Sequence, residues 1–424
     1  MFLQIQPLSV SLQDILVETD KKNNMQRIVF VNLHGNEMLV KTMNKYVFKQ
    51  SVAIKHKYLL DYLLMQADIQ VCSYINKRGF SVATSLPAPI MKFLNLFRFM
   101  EHRYVLKKNG IDRKKIKVLK KLKEIREDDI VILYRHCATQ LDDAKDIKAF
   151  KAISMIHFWG KRPESALMKE INPDILINEV NLGKHSEIFQ RFYDWYQKDF
   201  IVHPFVFAPR FQNKKPFAER ECKVFATGTI TYKNDPDFLE VYGDPCDQPA
   251  RKQIKDNAAA LNDLIYCTSS DYAENAKTVE VKRDNAIMRF YKALHYKLFE
   301  TQQKAYYSFD MVASFNNYKM CIVGEEILGI PGIGFVEGMA CGCAYIGQNK
   351  GYYEDYGMQD GVHYIGYDGT LEDLKAKIRY YQMPEHQDEL ECIAKVGYEF
   401  AQKHFSGEAS AKLLMNCLKE KQIK

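Results

Sequence analysis

The sequence has few features of a membrane-spanning, secreted or metal-binding protein. Its ten cysteines occur without any Cys-x-x-Cys spacing, which argues against a zinc site or a disulfide framework and suits a reducing compartment. No apolar run approaches the ~20 residues that cross a bilayer. No basic region precedes an apolar core near the first residue, so we expect no signal peptide. These absences lead us to expect a cytoplasmic protein that is soluble or peripheral to the inner face of a membrane.

What is present is the composition of a globular protein of more than one domain. The chain has 424 residues, 47% of them hydrophobic and 27% charged, which exceeds one typical core and predicts two domains. Short apolar runs alternate with helical patterns, as in βα units with buried parallel strands. The predicted strands are Arg27–Leu33, Ile69–Tyr74, Asp128–Tyr134, Ala152–Ile156, Pro173–Asn178, Asp199–His203 and Lys223–Thr227. We therefore expect an α/β fold with doubly wound parallel sheets.

One glycine-rich stretch, Gly332–Gly347, contains the main candidate site. It predicts a loop, a short helix from about Phe335 to Cys341 and a buried strand, Cys343–Ile346. A loop-to-helix junction leaves backbone N–H groups unpaired at the positive end of the helix dipole, where a phosphate can bind. Glu337 falls in the first turn, from which a carboxylate can accept hydrogen bonds from sugar hydroxyls. A glycine-rich junction that only packs remains the alternative.

The segment Glu337–Ile346 resembles the E-x-x-A-x-G-x-P-x-I signature of GT-B glycosyltransferases. This resemblance implies two Rossmann-like doubly wound parallel-sheet domains facing a cleft, and a nucleotide-sugar donor. It also implies that Glu337 binds the ribose and that neighbouring backbone groups hold the diphosphate, at Gly334, Phe335, Val336 and Gly338. Retaining members carry a second glutamate where this chain has Gly329. Glu325 and Glu326 lie nearby but out of register, so the resemblance leaves retention or inversion open.

Further donor contacts are implied by the same resemblance. The segment Gly228–Lys233 is similar to the turn that opens the nucleotide-binding domain, where Gly228, Thr229 and Lys233 would contact phosphate. Lys319, which enters the strand before the motif, is similar to a diphosphate-binding lysine, although a single lysine can equally be solvated. Asp235-Pro236-Asp237 has the spacing of a metal site, but Pro236 indicates a turn and this fold generally uses no metal. We expect neither a metal nor a cofactor.

Histidines at strand ends are the candidate catalytic residues. His157 resembles a histidine that closes a strand beside the donor sugar in this family, and a buried structural imidazole is the alternative. His136 and His34 also follow predicted strands, and ligands collect at the carboxyl ends of strands in open α/β sheets. The acceptor or interdomain candidates, which could also belong to ordinary turns, are Gly35, Asn36 and His203.

The predicted domain boundary follows the proline-containing crossover 203–210. We expect an acceptor-side domain over 1–205, a nucleotide-sugar domain over 206–405, and a final helix, 406–424, that packs back on the first domain. These boundaries follow the strand order and the resemblance.

Basic charge is concentrated in residues 77–126, which hold fifteen Lys and Arg against three acids in a chain of net charge +7. An apolar run, 89–100, precedes a predicted helix, 113–125, with Ile116, Leu119, Leu122 and Ile125 on one face. Apolar and basic residues together are typical of a helix on an anionic membrane. A helix that covers the core with a solvated basic face is the alternative. Nucleic acid is not expected, because no recognised binding motif accompanies the charge.

The resemblance to GT-B enzymes implies a glycosyltransferase that acts on a nucleotide sugar and a saccharide or lipid-linked acceptor in bacterial-type surface polysaccharide assembly (capsule, O-antigen or lipopolysaccharide). The alternatives are a catalytically degenerate scaffold in a membrane-bound assembly complex, and a sugar-nucleotide epimerase or phosphorylase on the same fold.

Overall fold

A computed structural model describes residues 25–33, 54–76, 97–134, 144–271 and 309–423. The predicted sites at His34, Gly35, Asn36 and His136 lie outside these ranges. Residues 77–96 of the basic segment, which include most of the apolar run 89–100, lie outside them too.

The first sheet has seven parallel strands in the order β3-β2-β1-β4-β5-β6-β7. Along β1, Ile28 and Phe30 face one hydrophobic core and Val29 and Val31 face another, because successive side chains of a strand point to opposite faces. The strands are β1 (Gln26–Val31), β2 (Ile69–Tyr74), β3 (Lys117–Leu119), β4 (Ile130–Tyr134), β5 (Phe150–Ser154), β6 (Ile175–Asn178) and β7 (Phe200–Val202).

The second sheet has five parallel strands in the order β10-β8-β12-β13-β14, beside a two-stranded parallel pair, β9 and β11. Its strands also lie between two cores. The strands are β8 (Glu221–Ala226), β9 (Thr229–Ile230), β10 (Ile265–Cys267), β11 (Ser270–Asp271), β12 (Tyr318–Ile322), β13 (Ala344–Gln348) and β14 (Ile365–Tyr367). Two parallel sheets with helices on both faces confirm the predicted α/β, doubly wound fold.

The described helices cover both faces of the sheets. They are α1 (Ile54–Met65), α2 (Arg98–Lys108), α3 (Arg162–Ile171), α4 (Leu182–His185), α5 (Glu187–Phe192), α6 (Pro236–Tyr242), α7 (Pro249–Asp256), α8 (Met311–Asn317), α9 (Gly334–Ala340), α10 (Leu371–Gln382), α11 (Gln387–His404) and α12 (Gly407–Ile423). Across the described ranges, none of these helices has the length and apolarity needed to span a membrane.

The last helix, α12, packs against α1 on the first sheet. Ala411, Leu414, Met415 and Leu418 are buried in the same core as Leu60 of α1. The chain therefore returns to the first sheet after completing the second. The predicted boundaries fall between β7 and β8 and between α11 and α12, and the division into domains stays a prediction.

The predicted helix over 113–125 is wrong. The structure has a 3₁₀ turn at Arg113–Lys115, the edge strand β3, and a second 3₁₀ turn at Leu122–Glu124. Its apolar residues repeat every third position, and three residues make one turn of a 3₁₀ helix. Side chains also compete for the backbone: Asp112 accepts from the Lys114 amide at 2.9 Å, and Glu124 accepts from the Lys121 amide at 2.9 Å. Pairing with β2 then fixes the extended form.

Candidate functional site

The candidate site lies where loops at the carboxyl ends of the two sheets meet. In open α/β sheets, ligands bind outside these ends. From the second sheet come the loops after β8 and β12, and from the first come the loops after β5 and β6. Contacts between these loops hold the two edges together. Lys161 Nζ lies 2.6 Å from Asp235, and the Arg162 amide donates to Asp237 at 2.9 Å.

A second group of contacts joins the sheets through Asp355. Its carboxylate accepts from the Asn181 amide at 3.0 Å and lies 3.0 Å from His185 Nε2. Burial alone would raise the pKa of Asp355, but His185, the Asn181 amide and Lys184 lower it overall. Asp355 therefore stays ionised and links the loop that follows β13 to the start of α4.

Arg251 of α7 organises the loops after β8 and β12. Its buried guanidinium donates to the carbonyl oxygens of Val323 at 2.6 Å, Gly324 at 3.0 Å and Thr229 at 2.7 Å. Gly228 has φ +132°, and a Cβ there would lie 2.8 Å from Arg251 Nε, so only glycine fits beside this side chain. The guanidinium thus fixes the shape of the predicted phosphate-binding turn from its buried side.

Glu337 has the features expected of a ligand-binding carboxylate. It lies in the first turn of α9, is half-buried, and its carboxylate accepts no hydrogen bond from any residue that the structure describes. Burial raises the pKa of Glu337 to about 7, and the positive charge of Arg210 acts against that rise. A buried carboxyl group without an internal partner has to find one in water or in a ligand.

Glu326 is a second carboxyl group with a raised pKa at the same edge. Its amide donates to the Ile330 carbonyl at 2.8 Å, which closes a tight turn at the base of the glycine-rich loop. Burial raises the pKa of Glu326 to about 7, and Asp247 adds to the rise while Lys233 opposes it. Lys233 is itself buried and paired with Asp247 at 2.9 Å. A phosphate at Lys233 would therefore compete with a carboxylate that is already bound.

Glu325 anchors the glycine-rich loop to β13. Its Oε1 accepts from the Gln348 amide at 2.9 Å and from the Tyr353 hydroxyl at 2.5 Å, and Tyr353 also bonds the Tyr345 hydroxyl at 2.6 Å. Burial raises the pKa of Glu325. At Gly329, where retaining enzymes of the resembled family have a glutamate, a Cβ would lie 2.7 Å from the His185 carbonyl oxygen. No side chain can begin there without moving α4.

The loop after β5 contributes exposed side chains from the first sheet. His157 is exposed and adopts a left-handed conformation with φ +53°, which is uncommon for a residue other than glycine. The next residue, Phe158, is buried against Phe189 and Tyr193. The buried-imidazole alternative is wrong for His157, because the turn directs its side chain to solvent at the carboxyl edge.

Two predicted site residues lie elsewhere. Lys319 is near the amino end of β12, about 10 Å of strand from the edge where the glycine-rich loop begins. Its Nζ donates to Gln387 Oε1 at 2.7 Å, so its predicted role in binding diphosphate is wrong. His203 is 1% exposed, and its Nε2 lies 2.7 Å from the Ser410 hydroxyl of α12. It joins α12 to the end of β7 and cannot reach an acceptor.

The remaining residues that were predicted to bind the nucleotide-sugar donor belong to the second sheet and its loops and helices. Phe335 and Val336 are buried in the core, so that only their backbone groups could face a ligand. Gly334 and Gly338 are buried within α9, and Thr229 is partly exposed. Asp235 caps α6 by accepting from the Asp237 amide at 3.1 Å. The Asp235-Pro236-Asp237 spacing is therefore explained by the helix cap and by the ion pair of Asp235 with Lys161.

Sequence reasoning missed Arg251 and Asp247. Pro249 indicates a helix start, and Ala250 and Ile254 lie four residues apart, which predicts an apolar face next to Arg251. No local pattern shows that this arginine reaches carbonyl groups of a loop more than seventy residues later. Asp247 was missed for the same reason, because its role is to pair with Lys233 and no local pattern shows that contact.

No family model matches the chain, and no curated protein matches it. Among solved structures it is similar to a sucrose-phosphate synthase from Thermosynechococcus elongatus, at 13% identity over 93% of this chain and 98% of that one, with a TM-score of 0.47. It is also similar to HepE from Anabaena in complex with UDP, at 10% identity over 93% and 100% of the two chains, with a TM-score of 0.47. A glycosyltransferase from Rickettsia africae gives 11% identity over 94% and 99%, with a TM-score of 0.46. Activity is therefore argued from the residues of this chain.

Proposed function

We propose that the chain is a GT-B glycosyltransferase that transfers a sugar from a nucleotide-sugar donor to a saccharide or lipid-linked acceptor in surface polysaccharide assembly. One observation carries the proposal. The half-buried Glu337, which occupies the glutamate position of the resembled signature, has no hydrogen-bond partner among the described residues and lies at the edge where the sheets meet. The two doubly wound parallel sheets support the same assignment.

The reaction would break the bond between the anomeric carbon and a phosphate oxygen, and the leaving nucleotide would keep the electron pair. The acceptor hydroxyl oxygen would form the new bond and pass its proton to the leaving phosphate or to water. Stabilising the leaving phosphate is the main electrostatic task. Lys233 would supply positive charge only by exchanging Asp247 for the phosphate. Glu337 would hold the ribose hydroxyls, and His157 would contact the transferred sugar. The stereochemical course stays open, because Gly329 leaves the second glutamate position of retaining enzymes without a carboxylate.

Nucleotide binding tests the assignment of Glu337. We expect UDP to bind the wild-type protein in calorimetry and Glu337→Gln to weaken binding at least tenfold, since a hydrogen bond to a charged group contributes about 1.5–3 kcal/mol. Glu372→Gln is the matched control, because Glu372 is an exposed glutamate in the first turn of α10. An equal dissociation constant for wild type and Glu337→Gln would refute the assignment.

Product analysis separates the alternatives. Incubation with UDP-sugars and no acceptor should leave the donor sugar unchanged, apart from slow hydrolysis. Conversion to an epimer would establish an epimerase instead. UDP binding with no transfer to any saccharide or lipid-linked acceptor would favour a degenerate scaffold.

We also propose that the protein is peripheral to an anionic membrane, through a basic surface on the first sheet. The surface consists of the exposed cations around β3 and the exposed apolar residues on α2: Phe97, Met100, Tyr104, Arg113, Lys114, Lys115, Lys117, Lys120, Lys121, Lys123 and Arg126. Met100 is 63% exposed, a large value for an apolar side chain. The predicted amphipathic helix is absent from 113–125, but its lysines are exposed along the edge strand β3 and its flanking turns.

Co-sedimentation with vesicles tests this surface. Each basic residue near an acidic leaflet contributes about 1 kcal/mol, so reversing four of them should release the protein from phosphatidylglycerol vesicles. The variant changes Lys114, Lys115, Lys120 and Lys121 to Glu. The control makes the same change at four exposed cations outside the first sheet and its helices: Lys214, Arg379, Lys395 and Lys403. Wild-type binding should also weaken as salt rises. Wild-type protein that stays in the supernatant would refute the proposal.

A further inference from the structure

Trp159 is an exposed aromatic side chain at the junction of the two sheets. It is 44% exposed, although large aromatic residues are mostly buried in folded proteins. It lies in the loop after β5, at the carboxyl edge of the first sheet. Its neighbour Phe158 is buried, so the loop is anchored on one side and presents the indole on the other.

The conformation of this loop holds Trp159 in place. His157 and Gly160 both have positive φ, at +53° and +71°, so the chain turns sharply on each side of the indole. A left-handed conformation costs free energy at His157, and such conformations are retained where the surrounding structure fixes them, often at binding sites. Packing of Phe158 against Phe189 and Tyr193 provides that support.

Charged groups from both sheets surround the indole. Lys161 Nζ lies 5.7 Å from the ring centroid and Lys233 Nζ lies 5.4 Å from it. Each ammonium is paired with a carboxylate of the second sheet's loops, Lys161 with Asp235 and Lys233 with Asp247. Each of the two ammonium groups that lie over the indole is therefore balanced by one carboxylate.

The exposed indole and the two ion pairs around it together favour one class of ligand. A neutral pair of donors and acceptors favours hydroxyl groups over a charged group, because a hydroxyl both donates and accepts. The exposed part of the indole favours an apolar surface, which a pyranose ring presents through its C–H groups. We propose that Trp159, with Lys161 and Asp235, forms a subsite for a neutral pyranose ring of the acceptor. That the bound sugar is the acceptor rests on the proposed function. That a sugar ring binds at Trp159 rests on the geometry alone.

Tryptophan fluorescence gives a direct test, because the chain has only two tryptophans. The other, Trp195, is partly buried and donates through Nε1 to the Ser165 hydroxyl at 2.8 Å. Trp195→Phe leaves Trp159 as the sole emitter, and Trp159→Phe is the mirror-image control. Titration with methyl glucoside, methyl galactoside and methyl N-acetylglucosaminide should shift the emission of Trp159 saturably in the presence of UDP. The mirror-image variant should show no shift.

Ligand-detected NMR tests the same subsite without fluorescence. Saturation transfer from the protein to the glycoside C–H protons should be strong for wild type. Trp159→Ala should weaken the affinity about tenfold, while Trp159→Phe should retain part of it, because phenylalanine keeps an aromatic face. Asp235→Asn should weaken binding without changing the emission maximum of the unliganded protein.

The outcomes separate this inference from the proposed function. No emission shift and no saturation transfer with any of the three glycosides would overturn the subsite, even where UDP binds and the function stands. A shift with UDP that no glycoside changes further would also overturn it, because Lys233 lies 5.4 Å from the indole and a nucleotide bound there can change the emission by itself. Glycoside binding at Trp159 without UDP binding would support the subsite and contradict the proposed donor. Preference for glucuronate over methyl glucoside would overturn the assignment to a neutral sugar.

Discussion

Replacing Glu337 by glutamine should make the protein more stable at alkaline pH than the wild type. The carboxyl group has a pKa of about 7 in the folded chain, against an ordinary value of 4.5, and burial is the main cause. The folded state therefore binds this proton more tightly than the unfolded state. Stability falls as pH rises from about 4.5 through 7, and the loss is complete above that range.

The magnitude follows from the size of the shift. One pKa unit corresponds to about 1.4 kcal/mol, so a rise from 4.5 to about 7 sets an upper limit of about 3 kcal/mol. The side chain keeps some contact with solvent, which lowers the cost of its charge, and we expect about 1–2 kcal/mol at pH 8. Glutamine has nearly the same shape and carries no charge at any pH. Its advantage should therefore be clearly smaller at pH 5 than at pH 8, because only part of the loss has occurred at pH 5.

Denaturant unfolding at pH 5 and pH 8 measures this effect. Glu326 titrates in the same range, but it is present in both proteins and cancels in their difference. Glu372→Gln, at an exposed glutamate, should show no pH-dependent difference from wild type. An equal difference between Glu337→Gln and wild type at both pH values would refute the reasoning. A variant that is more stable and yet binds UDP more weakly would show that Glu337 is retained for binding.

Three further changes test the framework around the site. Asp355→Asn should lower the free energy of unfolding at neutral pH by about 1–3 kcal/mol, because His185 and a backbone amide lose a charged acceptor, and denaturant melts measure it. Leu418→Ala should cost about 2–5 kcal/mol, since this buried side chain holds α12 on the first sheet, and a melting temperature equal to wild type would contradict that. Tyr353→Phe should cost about 1–3 kcal/mol by removing a donor from the buried Glu325, with the change read from the denaturation midpoint.

The strands were the part of the fold that the sequence predicted best. The bounds of β2, Ile69–Tyr74, agree with the prediction, and β1 and β4 differ from theirs by a few residues. A strand covered on both faces is apolar at most positions, so its pattern is visible without tertiary information. The short helix α9 was predictable for a related reason, since glycines mark both of its ends.

The basic segment shows why local patterns fail. Ile116 and Leu119 are both buried, as a helix would require, yet the chain between them is the edge strand β3. Whether such a stretch becomes helix or strand depends on β2, whose free edge offers hydrogen bonds that the segment's own sequence does not reveal.

Glu337 and His157 lie where the sequence predicted them, in the first turn of a short helix and in the turn that follows a strand, while their roles stay predictions. Lys319 was assigned to the site because its strand precedes the glycine-rich stretch. It lies near the amino end of that strand, β12, whereas the site lies at the carboxyl end. Arg251 was missed for the converse reason, because it is distant in sequence and touches three separate loop carbonyls.

The pairing of Lys233 has a consequence for ligand selectivity. Its ammonium lies 2.9 Å from Asp247, and the neighbouring Glu326 has a raised pKa partly because Asp247 is close. The carboxylate of Asp247 repels a phosphate that approaches Lys233 and already neutralises the ammonium group. A free phosphate is therefore only weakly attracted to this site. A nucleotide overcomes that balance only if its other parts contribute. The carboxylate of Glu337, which has no hydrogen-bond partner among the described residues, can accept hydrogen bonds from ribose hydroxyls, which a bare phosphate lacks. The buried ion pair and Glu337 would then act together, the first excluding small anions and the second admitting a nucleoside.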